Sequence, residues 1–161
     1  MKNLTDLLEL HVALDRMFFE HQRALVKLDF ALALSLLDRY KICLHQHMRD
    51  EEDILLPLYA ARATVSPAAT VQMFLNEHVK MNDHLDLFKE HLEKLATDPE
   101  PEAALILLLD REAFYKRLCS HHDKREHDHL YPALDEITSE AEKAALMTKV
   151  TTSFDLGEIP Q

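Results

Sequence analysis

The sequence predicts an all-α fold, an antiparallel up-down-up-down four-helix bundle with a short C-terminal helix, and three observations carry that expectation. Glycine occurs once, at Gly157, and β-branched residues are sparse beside abundant Leu, Ala, Glu, Lys and Asp, a balance that favours helix over strand. Apolar residues recur at alternating steps of four and three, the spacing of a helix face packed in a bundle. Clear breakers separate those stretches. With 161 residues and 47% hydrophobic content, the chain reads as one globular domain, the bundle over about 4–136 and a terminal helix and tail over about 139–161.

Thr5 or Asn3 can cap a first helix whose seam is Leu7, His11, Leu14, Phe18, His21, Leu25 and Leu28. Asp29 interrupts the seam and is placed to cap a second helix. That helix runs from about Phe30 towards Arg62, with Leu36, Tyr40, Leu44, His47, Glu51, Ile54 and Leu58 on its inner face. Pro57 is expected to kink or end it, because proline removes a backbone donor and clashes with the preceding turn. Ser66-Pro67 reads as an N-cap followed by proline at the first helical position. The third helix then presents Phe74, His78, Met81, Leu85, Phe88, Leu92 and Leu95. Asp98-Pro99-Glu100-Pro101 is a breaker, and a fourth helix from about Glu102 turns Leu108, Tyr115, Cys119, His122, Glu126 and His129 inward. Ser139-x-x-Glu142 is a capping box that opens a short helix to about Val150, and the tail beyond Ser153 reads as a loosely held strap.

A formal net charge of −11 speaks against nucleic acid as a partner, and none is expected, since binding it rewards clustered Lys and Arg. The longest near-apolar runs are about ten residues, against the roughly 20 needed to span a bilayer, so no membrane role is expected. Cys43 and Cys119 form neither a zinc-type spacing nor a Cys-x-x-Cys pair. Two cysteines, with no basic-then-apolar leader over residues 1–9, fit the reducing cytoplasm.

Eleven histidines are the anomaly, and one motif occurs twice. His47 to Pro57 and His122 to Pro132 align as His47/His122, Glu51/Glu126, Asp53/Asp128, Leu55/Leu130 and Pro57/Pro132. Residues four apart on a helix project from nearly one face, so each copy offers an imidazole and a carboxylate side by side. Depth in the bundle supplies their partners. A turn near 28–29 puts residue 11 opposite His47, and a breaker centred on Glu100 puts residue 78 opposite His122. His11 and His78 occupy those positions, both on a seam. Four imidazoles and two carboxylates in a water-poor core suit two first-row transition ions, two His on each, with Glu51 and Glu126 bridging. No cysteine belongs to this ligand set, which disfavours iron–sulfur clusters and structural zinc. Six ligands for two ions leave positions open for a small molecule.

These residues resemble the hemerythrin-like (HHE cation-binding) family, from His11 to about Pro132. The matching features are His11, His47-x-x-x-Glu51-Glu52 with Leu-Leu-Pro57, Glu77-His78, and His122-x-x-x-Glu126 with Leu-Tyr-Pro132. The resemblance implies a non-haem di-iron site (Fe2+/Fe3+) bridged by carboxylates and an oxo or hydroxo group, with manganese or a mixed pair as alternatives. It implies that O2, peroxide or NO binds or reacts there; an iron or oxygen sensor, or a metal-storage module without turnover, is the alternative. Two departures from the O2-carrying members stand out: Asn82 occupies the place of a second His on the third helix, and Glu126 follows His122 by four residues where they have Asp at five. Four His and two Glu look more like the repair-of-iron-centres proteins and sensing relatives, although those carry a Cys-bearing N-terminal segment and no Cys precedes His11 in this sequence.

Other residues read more plainly. A ferritin-like site would repeat Glu-x-x-His, and Glu126-x-x-His129 has only Ile54 as its echo. His21 is expected to be a hydrogen-bonded core or end-of-bundle residue. His45, His84, His91, His121 and His127 fall off the seams and should be solvated. His129 follows Glu126 and can line an access path. Tyr40 and Tyr115 are repeat-equivalent core residues whose hydroxyls can reach a ligand or a group behind the metals. Cys119 reads as a small buried hydrophobe, and Asp50, Glu52 and Asp53 as a charged outer face.

Overall fold

The computed structural model describes residues 3–152, with side chains described as far as Val150; the expected strap beyond Ser153 lies outside the described residues. The Asn3 backbone N–H donates to Asp6 Oδ2 at 3.0 Å. This opens a 3-10 turn, Leu4–Leu7, that leads into α1, Leu8–Val26. Asn3 is therefore the cap; the Thr5 hydroxyl instead donates to Asp135 Oδ2 at 2.8 Å. At the far end Asp29 N–H donates to Ala24 O (3.0 Å) and Leu28 N–H to Leu25 O (2.9 Å), the bond pair that closes a helix through one left-handed residue. That residue is Leu28, at φ 59. It is 52% exposed, so the seam ends at Leu25 and not at Leu28.

Asp29 caps α2, Phe30–Asp50, by accepting from Leu32 N–H. The expected break at Pro57 takes another form. A π-helical turn, Glu51–Leu55, follows α2, and α3, Leu56–Arg62, continues the same rod with proline in its first turn. Leu56 N–H donates to Glu51 O, so one extra residue is wound into the turn. The next proline needs no donor at that place. The second copy repeats this: α5, Glu102–Arg125, a π turn Glu126–Leu130, and α6, Tyr131–Ile137. The extra residue rotates everything beyond it. Leu55, Leu56 and Tyr59 fill the core in the first copy and Leu130, Tyr131 and Leu134 in the second, whereas Ile54, Leu58 and His129 are only partly buried. Leu36 is likewise half-buried, with Ala33 and Leu37 inside.

Between the halves, α4, Val71–Leu95, begins four residues later than Ser66-Pro67 suggests. Thr70 is its cap and accepts from Met73 N–H at 3.3 Å. Ser66 serves the preceding turn, its hydroxyl accepting from Ala68 N–H. All seven expected inner residues of this helix, from Phe74 to Leu95, are buried, and each large one contributes roughly 1.5–3 kcal/mol. The Ser139–Glu142 box opens α7, Glu140–Thr152.

Cross-contacts define the topology. His11 meets His47 and His21 meets Ala33; Asp38 meets Lys89 and His45 meets Asn82; His91 meets Arg111 and Glu77 meets His122; Gln22 meets Glu112 and His11 meets Glu126. In each pair of neighbours one number rises as the other falls, so α1/α2, α2/α4, α4/α5 and α5/α1 are all antiparallel and close a four-membered ring. Tyr40 and Tyr115 touch across the diagonal, hydroxyl to hydroxyl at 2.8 Å. The terminal helix is tied to the α3/α6 end through Arg62–Glu142 at 2.7 Å and Lys143–Asp135 at 3.9 Å. Among the described residues no helix is long and apolar enough to cross a membrane.

Candidate metal centre

The two π turns deliver Glu51 and Glu126 into the bundle one turn beyond His47 and His122, while α1 and α4 bring His11 and His78 to the same level. All six are buried: Glu126 is fully enclosed, and His11, the most exposed, is at 7%. His11 Nε2 is 3.0 Å from His47 Nε2 and 3.0 Å from Glu126 Oε2. His47 Nε2 is 3.3 Å from Glu51 Oε1, His78 Nε2 3.1 Å from Glu51 Oε2, and His122 Nε2 3.0 Å from Glu126 Oε1. Each carboxylate thus turns one oxygen to a histidine of one cluster and its other oxygen to a histidine of the second. The clusters are His11, His47, Glu51 and Glu126 on one side and Glu51, His78, His122 and Glu126 on the other, with donor atoms within 4.8 Å in each.

Despite these short separations, Glu51 Oε2, His78 Nε2 and both Glu126 oxygens make no hydrogen bond with any described residue. Buried polar atoms left so are costly. Nitrogen and oxygen donors that approach without donating to each other suit a cation between them, and their chemistry suits a first-row transition ion.

Outside this set stand residues that the sequence reading left on the surface or passed over. His78 Nδ1 lies 2.7 Å from Glu52 Oε1 and His122 Nδ1 2.8 Å from Glu77 Oε2. A neutral ring that donates from Nδ1 presents its Nε2 lone pair inward, the tautomer a metal requires. Arg125 Nη2 holds Glu77 at 3.0 Å. Glu52 is thus not merely part of a charged outer face, and Asp50 is itself buried and held by Gln46 at 3.0 Å. The Tyr131 hydroxyl donates to Glu51 Oε1 at 3.0 Å. The adjacency Glu77-His78 was a usable signal; Tyr131 was hidden by the shift that the π turn imposes.

Electrostatics follow from burial and these contacts. Burial alone would lower His11, but the Glu126 carboxylate outweighs it and raises the group to about 9. Burial lowers His47 to about 4. Burial also opposes charge on Glu126, yet His122 and His11 hold it well below the usual carboxylate range. Burial pushes Asp123 up to about 6 and Cys119 up to about 12.

A cavity of about 20 Å³ adjoins the centre, lined by His11, Tyr40, His47, Met81, Cys119 and His122 among others. That volume holds roughly one water-sized molecule. His21 lies elsewhere on α1, fully buried against Ala33 O (2.8 Å) and Glu112 Oε1 (2.7 Å), as a core histidine. Of the histidines expected in solvent, His121 and His127 are exposed. His45 instead contacts Asn82 Oδ1 at 2.6 Å, His91 contacts Arg111, and His84 packs against Phe88 and Tyr115.

A four-helix bundle with two buried carboxylate–imidazole clusters fits the class of helical-bundle proteins with a cation-binding site. Residues 3–134 match the model of the hemerythrin HHE cation-binding domain, and the chain belongs to that family. No curated protein and no solved structure matches the chain significantly.

Proposed function

We propose that the chain is a non-haem di-iron protein that binds or reacts with O2, hydrogen peroxide or NO. His11 and His47 would hold one ion and His78 and His122 the other, with Glu51 and Glu126 offering carboxylate oxygens to both. The observation that supports this most is the division of each carboxylate between the two clusters, one oxygen to each. Manganese, alone or paired with iron, suits the same oxygen and nitrogen donors.

Bound iron would supply redox chemistry and open positions for a small molecule. The chain's own residues do the rest. Glu52 and Glu77 fix the tautomer and orientation of His78 and His122, and Tyr131 fixes Glu51. Leu14, Leu44, Met48 and Met81 line one part of the cavity with apolar atoms, and Asp15 and Asp123 line another with carboxylates. Tyr40 borders the cavity and its hydroxyl meets that of Tyr115 at 2.8 Å; with Tyr115 as the donor in that contact, the Tyr40 O–H is free for a molecule held there. A cavity of about 20 Å³ has room for roughly one molecule of the size of water, O2, NO or peroxide.

Stopped-flow absorption of the anaerobically reduced, iron-loaded protein mixed with O2, hydrogen peroxide or NO tests this reading. At least one ligand should change the near-ultraviolet and visible spectrum within seconds, and His122→Ala should abolish the change. Inert spectra with all three would refute it. Repeated turnover of peroxide would mark an enzyme.

A further inference from the structure

The outward nitrogens divide the four histidines into two unlike pairs. His78 Nδ1 and His122 Nδ1 each meet a carboxylate, at 2.7 Å on Glu52 and 2.8 Å on Glu77. Glu77 is held in turn by Arg125 Nη2 and Nε, 3.0 and 3.2 Å from its Oε1. His11 Nδ1 and His47 Nδ1 are buried and have no hydrogen-bond partner among the described residues. Asp123 Oδ1 stands 3.6 Å from His11 Nδ1, outside hydrogen-bond range.

A carboxylate on the outer nitrogen strengthens an imidazole as a donor and locks its ring. Removing such a partner typically weakens metal affinity roughly 10–100-fold. Glu51 and Glu126 are common to both clusters, so the difference between the clusters lies in these histidines. The cavity borders both histidines of the unsupported pair, and only His122 of the supported one.

We infer that the two metal positions are unequal: His78–His122 takes the first divalent first-row ion tightly, and His11–His47 takes the second weakly and exchanges it. This rests on the two-metal reading above and adds an order of filling to it. The weak position is then the one whose coordination changes most readily when a small molecule arrives from the cavity.

The test is a titration of the metal-stripped full chain with Co2+ against a chromophoric chelator, with helical content followed throughout. Two steps at least tenfold apart are expected. Glu77→Gln should weaken the tighter step roughly 10–100-fold and leave the looser one within about twofold. Glu52→Gln, a change at a half-exposed side chain, should do the same if the first variant folds poorly. His47→Ala should remove the looser step and spare the tighter. Two equal steps in the wild type, or loss confined to the looser step in Glu77→Gln and Glu52→Gln, would overturn the inference while leaving the two-metal reading intact. A wild-type chain that binds no Co2+ would overturn both.

Discussion

The hydroxyl of Tyr131 donates to Oε1 of Glu51 at 3.0 Å, joining the first residue of α6 to the π turn of the other half. Tyr131 is fully buried, and its repeat counterpart is Leu56, so the contact exists in only one of the two copies. Tyr131→Phe should keep the fold at a cost of about 1 kcal/mol. It should also free the Glu51 carboxylate to rotate and lower metal affinity by roughly tenfold or more. Thermal melting and a metal titration check both.

The buried pair His21–Glu112, at 2.7 Å and fully enclosed, sits about 15 Å along α1 from His11. Gln22 Nε2 donates to the other Glu112 oxygen at 2.9 Å, so the pair is satisfied without a metal. Glu112→Ala strands His21 and should cost roughly 3–5 kcal/mol. A double replacement of both residues by Leu should recover most of that loss. Metal content per folded chain should be the same in all three proteins.

Leu28 holds φ 59 where α1 ends, a conformation that costs a side chain with a Cβ about 1 kcal/mol or more relative to glycine. Its side chain is about half exposed, so little packing is lost when it is removed. Leu28→Gly should raise the unfolding free energy by about 1 kcal/mol in a denaturant titration. A destabilised variant would show that the Leu28 contacts outweigh the backbone cost.

Cys119 carries a pH prediction. Burial pushes its thiol up to about 12, and only the thiolate attacks. Labelling of Cys119 in the folded protein at neutral pH should be on the order of a thousandfold slower than in the denatured chain. The rate should climb about tenfold per pH unit as pH rises towards 12, while the fold survives. Mass spectrometry of alkylated peptides measures it.

The bundle was legible because its seams are regular. Every inner residue of α4 was read correctly, and the turn at Leu28–Asp29 gave the depth rule that paired His11 with His47. The π turns were not legible, since a periodicity of 3.6 has no term for one extra residue. The misplacements of Ile54, Leu58 and His129 all follow from them, as does the missed Tyr131. Glu112 was within reach. It falls on the same four-three steps as Leu108 and Tyr115, and an acid on a seam facing His21 was the available signal. Glu52 was not within reach, because whether a carboxylate beside a motif bends back to a neighbouring helix depends on helix rotation.

Metal analysis of the freshly purified protein, with its optical spectrum before and after O2, bears most directly on the convergence of His11, His47, Glu51, His78, His122 and Glu126. A di-iron bundle gives about two iron ions per chain and near-ultraviolet charge-transfer absorption that Glu126→Ala removes. A fully helical protein that holds less than one metal ion per chain after reconstitution with iron, and shows no such absorption, would contradict it.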